Sequence, residues 1–216
     1  MEGCRVVALS KTQENLDTLK ESFPAVKTIT NDITRWETTR RKVTEAGPYN
    51  CLVNNAGIAI LEPFLEAKSE SFDSVFNVNV KAMFNISQAV AQQMIEHNIK
   101  GTIVNVSSQA SQAAFKDHAI YCASKGAVDM LSKTMALELG QYGIRVNCVN
   151  PTVVMTQMGR IGWADPVKSE PLLEQIPLGR FAEVDEVVDA ILYLLSDKSS
   201  MVTGVTLPID GGYLAR

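Results

Sequence analysis

The amino-acid sequence predicts an α/β fold, a doubly wound parallel sheet in a single domain over residues 1–216, on three observations. Short β-branched runs alternate with longer amphipathic stretches, the pattern of repeated βαβ units. Each predicted strand is followed at once by small or polar residues, which in such sheets face a ligand crevice at the carboxyl ends of the strands. The 216 residues are 46% hydrophobic and 20% charged, with 13 glycines and 8 prolines, proportions of an ordinary globular domain rather than a disordered or low-complexity chain.

The elements follow in order. Val6–Leu9 is a compact apolar run, and Thr12–Glu21 has helical composition. Val26–Thr30 reads as a strand and Trp36–Glu45 as a polar helix. Cys51-Leu52-Val53 is a strand, residues 70–96 are helical, and Thr102–Val106 is a strong strand. Ala119–Leu139 reads as a helix, Arg145–Val149 as a strand and Val184–Leu195 as a helix. The strand ends are then Ser10-Lys11-Thr12, Asn31-Asp32, Asn54-Asn55-Ala56-Gly57, Ser107-Ser108 and Asn150-Pro151-Thr152.

Composition narrows the function. Twenty basic residues stand against 24 acidic ones, net −4, which provides no basic field for nucleic acid. The longest apolar runs, such as Ile191–Leu195, are too short to span a bilayer, and the N-terminus carries no secretory apolar segment. Cys4, Cys51, Cys122 and Cys148 form no C-x-x-C pair or zinc-spaced cluster, so they read as reduced, packing thiols of a cytosolic protein, and no metal is predicted.

The strongest chemical signal is Tyr121-Cys122-Ala123-Ser124-Lys125, since residues four apart on a helix are neighbours. A free tyrosine, with a pKa of about 10, is a poor acid at neutral pH, and a nearby ammonium lowers that value. The pair therefore suits general-acid work on a carbonyl oxygen. Ser108 ends a strand 13 residues before Tyr121, Asn54–Gly57 ends another, and Asn79 lies inside a helical run.

With Asn-Asn-Ala-Gly at 54–57, Asn79, Ser108, Tyr121, Lys125 and the later Pro151…Thr156, the chain resembles the short-chain dehydrogenase/reductase family over Val6–Gly212. The resemblance implies a Rossmann-like fold and hydride transfer between a nicotinamide cofactor and a carbonyl. It implies that Tyr121 protonates the substrate oxygen, that Lys125 lowers the tyrosine pKa and holds the nicotinamide ribose, and that Ser108 stabilises the developing oxyanion. Asn79 would hold a relay water, Asn54, Ala56 and Gly57 would line the cofactor cleft, and Asp32 would meet the adenine. Pro151, Val154 and Thr156 would hold the carboxamide end. Structural readings compete at several positions: Asn79 as a helix kink, Ser108 as a strand-end cap, Asp32 as a helix N-cap.

The cofactor predicted is NADP(H). Dinucleotide folds that prefer NAD carry an acid at the end of the second strand, whereas Ser10-Lys11-Thr12 offers two hydroxyls and a cation for a 2′-phosphate. Ser10 as a helix cap is compatible with that role. Within the family the resemblance is greatest to the group that reduces L-xylulose, other sugars and α-dicarbonyls, carried by Val104–Gln109, Asn150–Thr156 and Ile176–Gly179. Pro151-Thr152 stands where many members have Pro-Gly. Gln109 and His118 would then hydrogen-bond the substrate, with Phe115 and Trp163 as pocket walls. His118 as a helix-start residue and Trp163 as a lid or core residue remain alternatives.

The family's first strand, Gly-rich turn and first helix have no counterpart, so the expected domain is truncated at its N-terminus by one βα unit. A standard member would carry roughly 25–30 residues more. The strands flanking that position would lack a central partner, and the pyrophosphate would lose a helix N-terminus. Two alternatives stay open: a 3-oxoacyl thioester or steroid substrate, and a non-catalytic truncated subunit. By resemblance the protein is a cytoplasmic homotetramer, with Ala119–Leu139 and the helix around Asn79 at the interfaces. Leu214-Ala215-Arg216 is not a peroxisomal address.

Overall fold

The computed structural model describes residues 3–215. In chain order the elements are β1 (Val7–Ser10), α1 (Gln13–Ser22), β2 (Lys27–Thr30), α2 (Trp36–Ala46), β3 (Cys51–Asn54) and α3 (Ser69–Phe76). A π-helical turn, Asn77–Ala82, leads into α4 (Met83–Glu96), followed by β4 (Thr102–Val106), α5 (Ala119–Leu139) and β5 (Arg145–Pro151). The chain closes with α6 (Gln157–Gly162), α7 (Pro166–Leu173), α8 (Val184–Leu195) and β6 (Thr206–Ile209).

Every strand pairing is parallel, in the order β1-β2 and β3-β4-β5-β6. The ladder is interrupted between β1 and β3, where Val6 and Val53 stay 37% and 39% exposed. Elsewhere the pleat sorts the core. Ile103 and Val146 point to the face covered by α4 and α5, in one cluster with Val90, Met94 and Ala136. Val104 and Val149 point the other way, against Val187 and Leu194 of α8. Burial on both faces explains why β4 reads as an unbroken apolar run.

The sequence read one helix over residues 70–96, and the structure inserts the π-turn at Asn77–Ala82. It also missed three elements. Pro208 argues against a strand, yet among the described residues β6 pairs only with β5, and an edge strand tolerates proline. α6 and α7 are six and eight residues long, and α7 holds Pro171, so neither shows a helical period.

Leu194→Ala empties a fully buried site on the α8 face and should cost about 3 kcal/mol in urea denaturation. Leu65→Ala, at a residue 93% exposed, should stay within about 0.5 kcal/mol of the parent.

Candidate active site

The C-terminal ends of β3, β4 and β5 open on a cleft of about 300 Å³. Asn55, Gly57, Ile58 and Ala59 line it from the segment after β3, and Ser107 and Ser108 from the segment after β4. Tyr121 and Lys125 enter from α5, and Pro151, Thr152 and Val154 from the end of β5.

α5 turns a stripe of small and polar residues inward, Ser124, Lys125, Val128, Asp129, Ser132 and Ala136, recurring at helical spacing. Lys125 is 5% exposed. Its Nζ donates to the Val106 carbonyl at 2.9 Å and lies 5.6 Å from the centre of the Tyr121 ring. Burial pushes the lysine down to about 8, against opposing pulls from Cys148 and Asp129. Burial likewise raises Tyr121 above its ordinary value, while the hydrogen bond with the Ser108 side chain acts downward. The expected lowering of Tyr121 by Lys125 is therefore overturned: the ammonium is held beneath the ring by Val106, and desolvation of the phenol dominates.

Ser108 precedes a one-turn 3₁₀ helix, Gln109–Ser111, and its Oγ accepts the Ala110 amide at 3.1 Å. Asn79 sits in the π-turn. Its Oδ1 accepts the Ile58 N–H at 2.8 Å, and its Nδ2 donates to the Ile58 carbonyl at 2.9 Å and to Ser124 Oγ at 3.0 Å. Both amide protons are thus committed to protein. The side chain clamps the Asn55–Ala59 segment to α5 instead of offering those protons to a water.

Other expected residues fall at varied distances from this cleft. The Asn54 amide turns away from it, donating to Ser87 at 2.9 Å and Asn105 at 2.8 Å, so Asn55 takes the lining place and Ala56 is not among the lining residues. Val154 forms a bridge to Ala182. Thr156 is the N-cap of α6, accepting the Gly159 amide at 3.0 Å. Gln109 is 4% exposed with its Oε1 unpartnered among the described residues. Phe115 and His118 do gather at Tyr121, with ring centres 5.8 Å apart and His118 6.3 Å from the tyrosine. Trp163 packs instead on Phe181 and under Lys168, beside a second cleft of about 610 Å³ that Phe181 and Met155 line. Tyr213, 5.7 Å from Phe115, joins the aromatic group and was missed, since nothing in its Gly-Gly-Tyr context marks a pocket.

At the far end, Ser10 is not the cap of α1. That position is Thr12, whose amide donates to Ser10 Oγ at 3.2 Å. Asp32 does not cap α2 either. It closes a turn on Thr34, whose amide and hydroxyl hold the carboxyl below its ordinary range, and Lys11 acts in the same direction.

The cleft has the donors and space for a nicotinamide ribose. An ammonium has three protons and Lys125 commits one to Val106. A side chain at Gly57 would meet Lys125 Nζ at 3.4 Å and Asn79 Oδ1 at 3.5 Å, so glycine leaves the approach to the ammonium open. No group of three acidic, histidine or cysteine residues among the described ones is arranged to hold a metal.

Residues 1–214 match the profile of the enoyl-(acyl carrier protein) reductase family. An L-xylulose reductase of Mesocricetus auratus is 57% identical over 212 residues, 98% of this chain and 87% of that protein. A D-erythrulose reductase of Gallus gallus is 55% identical over 98% of this chain and 86% of its own. The crystal structure of a gluconate 5-dehydrogenase from Burkholderia cenocepacia J2315, in complex with NADP and tartrate, superposes with a TM-score of 0.93 at 33% identity, covering 99% of this chain and 87% of that one. The parallel sheet, the Ser108–Tyr121–Lys125 cleft at its carboxyl edge and these identities agree: the chain belongs to the short-chain dehydrogenase/reductase family of oxidoreductases.

Proposed function

We propose that this protein is one NADP(H)-dependent domain over residues 1–216 that reduces the carbonyl of L-xylulose, related sugars and α-dicarbonyls. The observation that carries the reading is the convergence of Ser108, Tyr121 and Lys125 on one cleft at the strand ends. The names borne by the hamster and chicken relatives support sugar ketones as the substrate class. For the cofactor, Lys11 with the Ser10 and Thr12 hydroxyls supports a 2′-phosphate, as does the NADP complex of the gluconate 5-dehydrogenase.

Lys125, Gly57, Pro151, Val154 and Thr156 would hold the nicotinamide end, and Asp32 the adenine. When bound, the reduced nicotinamide supplies the hydride. Tyr121, kept as a neutral phenol by burial, gives its proton to the substrate oxygen. Ser108 donates a hydrogen bond to the same oxygen as charge develops there, a contribution of about 10²–10³ in rate in comparable oxyanion sites. Lys125 binds a ribose hydroxyl and places a positive charge beneath the tyrosine ring. Asn79 keeps the Asn55–Ala59 segment against α5, which shapes the wall opposite Pro151 and Thr152. His118 would be the substrate's polar contact, with Phe115 and Tyr213 as its aromatic wall and Trp163 acting through Phe181; Gln109, 4% exposed, would have to turn out of its buried place to join it.

The protein is assigned to the cytoplasm as a homotetramer. Among the described residues no helix is long and apolar enough to cross a membrane. The exposed Phe84 of α4 and Met130 and Leu137 of α5 supply apolar faces for subunit packing.

Thermal-shift titration with NADPH and NADH side by side tests the cofactor. NADPH at 100 times its Kd should add about 2.7 kcal/mol of stability, and NADH at equal concentration much less. A chain that responds to neither, and reduces no sugar ketone, would overturn the reading. In steady-state assays of L-xylulose reduction, Tyr121→Phe should lower kcat by about 10²–10⁴ with little change in KM.

Reduction should be constant from neutral pH until Lys125 loses its charge near pH 8, then decline, because the ammonium is the form that holds the ribose. The same group links stability to pH. Its folded value lies below its unfolded one of 10.5, so the burial penalty is full below about 8 and fades as pH rises towards 10.5. The parent should therefore gain on the order of 3 kcal/mol relative to Lys125→Met over that interval, read by denaturation at pH 7.5 and 10.5.

A further inference from the structure

Asn150, at the end of β5, has a lopsided set of neighbours. Its Nδ2 lies 3.2 Å from the Ser108 carbonyl oxygen, 2.9 Å from Ser111 Oγ, and 3.2 and 3.0 Å from the two carboxylate oxygens of Asp129. All four are acceptors or can accept. Its Oδ1 is buried and has no partner among the described residues. Turning the amide over would aim Oδ1 at a carboxylate and a carbonyl, so Asp129 and Ser108 together fix its orientation. Ser111 Oγ adds its own bond to the Ser108 carbonyl at 2.8 Å. Asp129 is 8% exposed and stands one turn beyond Lys125 on α5. Replacing a buried polar pair by well-packed apolar side chains is often neutral in stability, so stability alone gives little reason for one here. An orphaned buried acceptor points the same way.

We propose that Asp129 and Asn150 are positioning residues for Ser108. The carboxylate orients the amide, and the amide, with Ser111, pins the Ser108 carbonyl and so fixes the turn that presents Ser108 Oγ to Tyr121. Tyr121 and Asp129 lie two turns apart on the same helix. The clamp therefore ties the serine, which belongs to the segment after β4, to the element that carries its tyrosine partner. The spacing of the two hydroxyls is set through α5 and not by the 3₁₀ turn alone. This inference rests on the roles given to Ser108 and Tyr121 under the proposed function.

The test is Asp129→Leu/Asn150→Leu, an apolar replacement of similar size. Tyr121 ionisation is followed by NMR of ¹³C-labelled tyrosine, assigned among the five tyrosines with Tyr121→Phe, and with Ser108→Ala as reference. Removing a carboxylate favours phenolate and would by itself move the Tyr121 midpoint down, whereas losing the Ser108 hydrogen bond moves it up. Lys125, pushed down to about 8, is neutral where the phenol titrates, and Cys122 and His118, the other titratable groups facing it, are unchanged. The expected result is a folded protein with a midpoint raised to that of Ser108→Ala and kcat lowered about tenfold or more, with the cofactor KM raised because Lys125 loses the Asp129 carboxylate. A folded double variant whose midpoint stays put or falls overturns the proposal.

Should the double variant not fold, Ser111→Ala removes one of the two bonds to the Ser108 carbonyl. It should raise the midpoint by a smaller amount, and an unmoved midpoint again overturns the clamp. Parent-level turnover in Ser108→Ala would overturn the reading of the site itself. A dead Ser108→Ala beside a fully active Asp129→Leu/Asn150→Leu would overturn only the pair.

Discussion

The buried ammonium of Lys125 is the constraint on which the rest of the cleft depends. A cation that is 5% exposed resists its own charge, and burial pushes Lys125 down to about 8. What offsets it is local and directional: the Val106 carbonyl at 2.9 Å, the face of the Tyr121 ring, and the Asp129 carboxylate one turn on. These three partners sit on β4 and α5, and Cys148 of β5 acts in the same direction, so the charge is tolerated while that helix and the two strands keep one relative position. The lysine then holds one committed proton and two available ones at the mouth of a cleft, which is what a ribose-binding cation requires.

The sheet fixes that position with a polar row set within the apolar seam. Asn54 and Asn105 are register partners across β3 and β4, and Asn105 and Cys148 are partners across β4 and β5. Asn54 donates to Asn105, Asn105 donates to Ser132 of α5 at 2.7 Å, and Cys148 Sγ lies 3.0 Å from the same hydroxyl. Ser87 of α4 closes the row at Asn54. Apolar packing permits small slides of a helix over a sheet, whereas a shift of one residue in α5 would break both bonds at Ser132. Lys125 lies two turns before Ser132, so the row sets the depth at which the ammonium enters the strand ends.

Much of this was legible in the sequence, and the reasons for the gaps differ. Strand ends could be read because β-branched runs stop abruptly at small polar residues, and Tyr121 and Lys125 because helical spacing alone makes them neighbours. The choice between Asn54 and Asn55 could not be read: it depends on the phase of the pleat at the last residue of β3, and either amide suits a cleft. The direction of the Tyr121 shift was misjudged because sequence reveals a nearby charge but not the burial that outweighs it. Asp129 was not singled out, since the role proposed for it needs Asn150 from a strand 21 residues away. β6 was hidden by Pro208, whose tolerance is a property of its edge position.

The interrupted ladder has a physical counterpart elsewhere in the fold. β1 and β2 share no strand pairing with β3–β6 among the described residues, and the two groups are joined through helices. Trp36 stacks on Phe84 with ring centres 6.2 Å apart, Asn85 donates to the Trp36 carbonyl at 2.9 Å, Arg40 to Gln88 at 2.8 Å, and Gln93 to the Thr44 carbonyl at 2.9 Å. Leu9 of β1 packs on the same cluster as Val43, Val90 and Met94. The α2–α4 contact thus sets where Ser10, Lys11, Thr12 and Asp32 stand, while α5 and β4 set where Ser108, Tyr121 and Lys125 stand. A dinucleotide that engages both ends must bridge two groups held by separate interactions. A loosened α2–α4 interface should weaken its binding more than it disturbs the Ser108–Tyr121 geometry, whose own hydrogen bonds lie outside that interface.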